Sequence, residues 1–178
     1  MPTVEELISY SRSLVGLTAD PASPWRAEYL ATIAPGETPA RAAEMALNYN
    51  CELLCRAVLR RFCEHPLLAA PYPDGTAGHL LMALALAARA VRLPHELPQP
   101  GDIVLVSPPE HAWICVAQPG ATYDGAVLYD GVEGLPVEGY RAVATRQHVI
   151  RDGRDDAGGD RAIVAVIDTM ACIAAFGR

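Results

Sequence analysis

The sequence predicts an α+β domain in which N-terminal helices pack on a C-terminal antiparallel sheet. Three observations predict it. Apolar residues recur at helical spacing through the N-terminal half, and after "LPHELPQPG" they fall instead into short β-type runs. Those runs are separated by turn pairs such as Pro-Pro, Pro-Gly and Asp-Gly. Helices first and strands second is the order of an α+β chain rather than of a doubly wound one. With 178 residues, 51% of them hydrophobic, the chain can bury a full core, and neither a repeat nor a linker divides it. A single domain over residues 1–178 is expected.

The elements follow in order. Thr3 and Glu6 make a capping box for a first helix whose face carries Val4, Leu7, Ile8, Leu14 and Val15, ending near Gly16. Ser23-Pro24 starts a short second helix through Trp25, Tyr29 and Ile33, stopped by Pro35-Gly36. Thr38-Pro39 repeats that signal and begins a helix that reaches Asn48-Tyr49-Asn50, where asparagines favour caps and turns. From Asn50 a helix restarts with Cys51, Leu54, Cys55, Val58 and Phe62 on one face. Glu52, Arg56 and Arg60 lie on the other, where a solvated surface is expected. Prolines 66, 71 and 73 break the chain, Asp74-Gly75-Thr76 restarts it, and "AGHLLMALALAARAV" reads as a central packing helix, apolar almost all round. The strands are "DIVLVS", "HAWICVA", "AVLYD", "YRAVAT" and "AIVAVID", with "RDGRDDAGGD" as a mobile hairpin connection.

Charge and composition exclude several functions. A net charge of -7 and a pI near 5.1 argue against a nucleic-acid partner, because a polyanion needs a basic stripe to displace its counterions. No uninterrupted apolar run of membrane-spanning length occurs, and the N-terminus has early acidic residues and no long apolar run, so neither a membrane nor a secretory signal is expected. The chain reads as made in the cytoplasm. Its five cysteines are odd in number and irregularly spaced, which predicts reduced thiols and no metal centre.

Nucleophilic thiol chemistry is the one activity the residues point to. A reactive cysteine needs a helix N-terminus, where backbone N-H groups and the dipole favour the thiolate, and a histidine within reach. Cys51 follows Asn50 in the first helical turn, whereas Cys55 lies a turn deeper on the apolar face. His65, His79, His95 and His148 read as structural or solvent-exposed. His111 differs, because Pro108-Pro109-Glu110 delivers it to the start of a strand whose alternation puts His111, Trp113 and Cys115 on one face.

"VEELISYSRSLVGL", "NCELLCRAVLRRF" and "LPQPGDIVLV" followed by "HAWICV" together resemble the series found in the NlpC/P60 and CHAP superfamily of papain-like cysteine peptidases and amidases, over residues 4–131. The resemblance implies a papain-like fold with Cys51 as nucleophile, His111 as general base, no cofactor, and a third, imidazole-orienting residue on the next strand. Asp130 in "GAVLYDG" is the expected carboxylate, with Asp124 as the alternative in a hairpin turn. Oxyanion or substrate contacts are expected from Asn48, Asn50 or Tyr29, and Asn50 reads equally as a cap. This chain departs from the family pattern at Glu52-Leu53 and at bulky Trp113, which alters the substrate groove. "NCE" also resembles thiol acyltransferases of the lecithin-retinol type, but there the histidine precedes the cysteine.

The implied reaction is hydrolysis of an amide in a peptidoglycan stem peptide, most often the bond from D-γ-glutamyl to a diamino acid, or in a related small peptide. Lacking a signal, such an enzyme would be exported by a specialised secretion system or act on recycled peptides. A different class, a papain-like domain that has lost catalysis and serves as a binding module, would make Glu52 and Trp113 remnants of a filled groove.

Overall fold

The computed structural model describes residues 1–69, 79–92, 96–107, 110–122, 125–137, 140–157 and 159–178. The expected breaks at prolines 71 and 73 and the restart at Asp74, the His95 loop, Pro108-Pro109 and Asp124 all lie outside them.

Helix α1 (Val4–Ser13) starts at the capping box, with Thr3 Oγ1 accepting from the Glu6 N-H at 3.2 Å and the Glu6 carboxylate accepting from the Thr3 N-H at 2.7 Å. In α2 (Arg26–Ile33) the expected cap at Ser23 falls one turn too early: its hydroxyl accepts from the Trp25 N-H at 3.1 Å, inside the preceding turn. Helix α3 (Pro39–Phe62) has Thr38 as its cap and Pro39 in its first turn. It breaks where the asparagines predicted, at Tyr49, with φ −132° and ψ 20°. Two short helices follow, α4 (Pro66–Ala69) and α5 (His79–Ala88).

Two expectations fail here. The α5 helix is not central: Leu81, Leu84 and Ala85 are buried but Leu86 is 63% exposed, because periodicity cannot say how many neighbours an apolar helix receives. The basic face of α3 is not solvated either. Arg56 is 2% exposed and donates to the Leu67 and Leu68 carbonyls, while Arg60 donates to the carbonyls of Thr32, Ile33 and Leu68. Arginines there satisfy the orphan carbonyls at the end of α2 and around α4.

Seven strands follow: β1 (Val91–Arg92), β2 (Ile103–Ser107), β3 (His111–Ala121), β4 (Val127–Val137), β5 (Tyr140–Arg151), β6 (Arg154–Asp155) and β7 (Arg161–Ile167). All pairings are antiparallel, in the order β1-β7-β2-β3-β4-β5-β6. The two-residue β6 also pairs with β7, so β7, β2, β3, β4, β5 and β6 close into a six-stranded barrel with β1 as an extra strand. This corrects the predicted architecture. The fold is not a papain-like α+β sheet, because the sheet has no open edge along those six strands. The closure rests on "RDGRD", read from the sequence only as a connection. The chain ends in a helix the sequence reading missed, α6 (Thr169–Phe176), capped by Asp168 Oδ1 accepting from the Ala171 N-H at 2.9 Å.

Strand alternation divides the interior in two. Ala112, Ile114, Val116, Val132 and Val143 face the helices and join the main core with Leu7, Tyr29, Leu54 and Val58. Val104, Val106, Trp113, Cys115, Tyr129 and Ile150 form a second cluster inside the barrel. The "PGD" turn sets the start of β2: Gly101, at φ +98°, donates to the Cys115 carbonyl at 2.7 Å, and Asp102 pairs with Arg92 at 2.8 Å.

Candidate active site

The break at Tyr49 makes the C-terminal half of α3 a helix of its own, with Cys51 in its first turn. Asn50 holds this start against the sheet. It is 4% exposed, its Nδ2 donates to the Ala142 carbonyl at 3.4 Å, and its Oδ1 accepts from the Tyr29 hydroxyl. Gly134 on β4 makes the approach possible, since a Cβ there would stand 2.9 Å from the Asn50 carbonyl carbon. Asn50 and Tyr29 therefore position the helix. Tyr29 is fully buried, which pushes its phenol well above its usual value and removes it as a substrate contact.

His111 stands at the barrel mouth with its side chain 11% exposed. Its Nε2 is hydrogen-bonded to Glu133 Oε2, and the ring interacts as a hydrogen-bond partner with Cys51. With Nε2 turned to the carboxylate, Nδ1 is the nitrogen left for the sulfur. Burial alone would lower the His111 pKa, but Cys51 and Glu133 together raise it to about 9. Glu133, wholly buried, has Arg146 Nε 2.9 Å from Oε1 as a further cation.

The carboxylate is thus Glu133 and not Asp130. Along a strand, residues an odd number apart point to opposite faces. Glu133 shares the inward face with Tyr129, whereas Asp130 points out of the barrel into a surface hollow with Arg12, Thr145 and Gln147. Two register shifts in β3, between Cys115 and Ala117 and between Ala117 and Gly120, set the register, pairing Trp113 with Glu133 and Ala117 with Asp130. One signal was available in the sequence: an acidic residue between Gly131 and Gly134, at even spacing from Tyr129, in an otherwise apolar strand.

Trp113 is likewise corrected from groove to interior. It is fully buried, stacks on His148 at 3.8 Å between ring centroids, and donates to Asp155 Oδ2 at 3.0 Å. His148, read as structural or exposed, is 1% exposed, with Nδ1 2.8 Å from Asp155 Oδ2 and Nε2 3.8 Å from Glu133 Oε1. Gly131 leaves room for this stack, since a Cβ there would meet Trp113 at 2.9 Å.

Two cavities meet at the thiol. Both are lined by Asn48, Cys51, Glu110 and His111. One, of about 250 Å³, continues over Met82, Leu105, Val106 and Val164; the other, of about 370 Å³, continues over Leu135, Pro136, Arg141, Arg146 and Arg161. Of the expected oxyanion donors, Asn48 alone is exposed at the site. The remaining cysteines are buried. Burial raises the pKa of Cys63 to about 11 and those of Cys115 and Cys172 to about 12, and pushes Cys55 well above its usual value. Among the described residues, no cluster of His, Cys, Asp and Glu is arranged to hold a metal ion, and no helix is long and apolar enough to cross a membrane.

No family model, no curated protein and no solved structure matches this chain.

Proposed function

We propose that this protein is a thiol hydrolase that cleaves an amide bond through Cys51, His111 and Glu133. The observation that carries the reading is the convergence of three groups from three elements: a thiol in a first helical turn, an imidazole at a strand start, and a buried carboxylate on the neighbouring strand. Glu133 holds the ring orientation and stabilises the imidazolium. The sulfur attacks the carbonyl carbon, His111 passes its proton to the leaving nitrogen, and a water deprotonated by His111 then hydrolyses the thioester. Two cavities at the thiol give room for substrate on both sides of the bond.

The substrate class that fits the chain's resemblances is a peptide amide such as those of the peptidoglycan stem. The second reading is a domain that binds without catalysis. Of the two residues expected to fill its groove, Trp113 lies inside the barrel and Glu52 lines the cavity beside the thiol.

Iodoacetamide labelling at neutral pH followed by peptide mapping tests the reading. Cys51 should label at least about tenfold faster than any other cysteine, and Cys51→Ala should abolish both acylation by p-nitrophenyl acetate and hydrolysis of stem peptides. Uniform or absent labelling of Cys51 removes the nucleophile.

A further inference from the structure

The two cavities that share Cys51 and His111 differ in chemistry. One is walled by Met82, Leu105, Val106 and Val164, with Glu52 and Glu110 but no basic side chain among its described lining. The other brings Arg141 and Arg161 together with Arg146, itself paired with Glu133 at 2.9 Å, and has a single carboxylate, Glu110, in its described lining. A concentration of three arginines is unexpected in a chain of net charge -7, and all fourteen of its cationic side chains are arginines. Arg141 donates from Nε to a neutral group, the Leu47 carbonyl at 3.1 Å, a contact that fixes the side chain without compensating its charge. Arg161 is 8% exposed, so its charge acts in a low-dielectric setting. Planar guanidinium forks of this kind match the two oxygens of a carboxylate.

From this division we propose that the site takes an amide carrying an apolar group on one side of the scissile bond and a carboxylate on the other. The carboxylate is held by Arg141 and Arg161 and the apolar group by the Met82–Val164 pocket. The assignment rests on the preceding reading for the position of the reacting bond, at the Cys51 junction between the cavities. It narrows the substrate from any peptide amide to an amphiphilic, anionic one.

Calorimetric titration of Cys51→Ala protein tests the assignment without needing turnover. Two probes cover both directions of the bond: N-hexanoylglycine, with alkyl on the acyl side, and N-hexylsuccinamic acid, with alkyl on the amine side. Each is compared with its neutral carboxamide and with its acetyl or methyl analogue. At least one parent acid should bind, and both removal of its charge and shortening of its chain should weaken binding about tenfold or more. Arg141→Gln should reproduce the loss seen with the carboxamide, and raising the salt concentration should weaken the acid more than the amide. Equal binding of acid and carboxamide, equal binding of long and short chains, or no binding by any probe overturns the assignment. Iodoacetamide labelling of the parent protein is read separately. Fast labelling of Cys51 without acid preference sinks only the substrate class, and acid preference without Cys51 labelling sinks only the hydrolase.

Discussion

His111 at the barrel mouth and His148 inside it both stand beside the carboxylate of Glu133, His111 bonded to Oε2 and His148 3.8 Å from Oε1. Their other neighbours separate them. Trp113 covers one face of His148, Asp155 takes its Nδ1, and 1% exposure leaves no route to substrate. His111 keeps one nitrogen toward Cys51 and opens onto two cavities. A histidine enclosed on every side is a packing element with a hydrogen bond; one with a carboxylate behind it and a thiol before it can move a proton. The interior pair also serves the mouth, since it fills the barrel directly behind Glu133.

Substituting the two histidines breaks the comparison most sharply. His111→Ala should slow p-nitrophenyl acetate acylation of Cys51 at least about a hundredfold, the low end of general-base contributions. An acylation rate within threefold of the parent would remove His111 from the chemistry.

The two acidic residues of β4 come next. Glu133→Gln should lower the acylation rate about tenfold to a hundredfold, since an amide can still accept from the imidazole but cannot balance its charge. Asp130→Asn, on the outer face, should change it less than twofold. The reverse ranking would return Asp130 to the site.

Stability should follow His111 with pH. The ring stays protonated up to about pH 9 in the folded protein, against about 6.5 for an unperturbed histidine. Its contribution is therefore complete below about pH 6.5 and lost as pH rises toward 9, on the order of 3 kcal/mol. Denaturant titrations from pH 6 to 9 should show this fall in the parent and a smaller one in Glu133→Gln; equal slopes would contradict the pairing.

A smaller effect on acylation than at His111 is expected at the enclosed ring. His148→Phe preserves stacking on Trp113 but leaves Asp155 without its imidazole partner, which should lower stability by about 1–3 kcal/mol. Acylation by p-nitrophenyl acetate should slow less than tenfold. A loss matching that of His111→Ala would make His148 part of the proton path.

Local chemistry made the two ends of the dyad legible. Asn48-Tyr49-Asn50 interrupts one helix and starts another, which places Cys51 in a first turn, and the strict alternation of "HAWICV" puts His111 on the same face as Trp113 and Cys115. The caps at Thr3 and Thr38 are decided within four residues and could be read in the same way.

What depends on partners distant in the chain could not be read. Glu133 meets His111 because β3 shifts register twice against β4, and each shift changes which side chains of β4 stand opposite. Arg56 is buried because carbonyls of α4 need donors, a demand invisible along α3 itself. Closure into a barrel rests on β6, two residues that bond strands on both sides, and no periodicity can be read in so short a segment. Sequence by itself determined where the thiol and the imidazole begin their elements, since caps and alternation act over a few neighbouring residues. Only the tertiary structure decided which carboxylate joins them and that the sheet closes, because register and edge pairing are set by contacts across the whole chain.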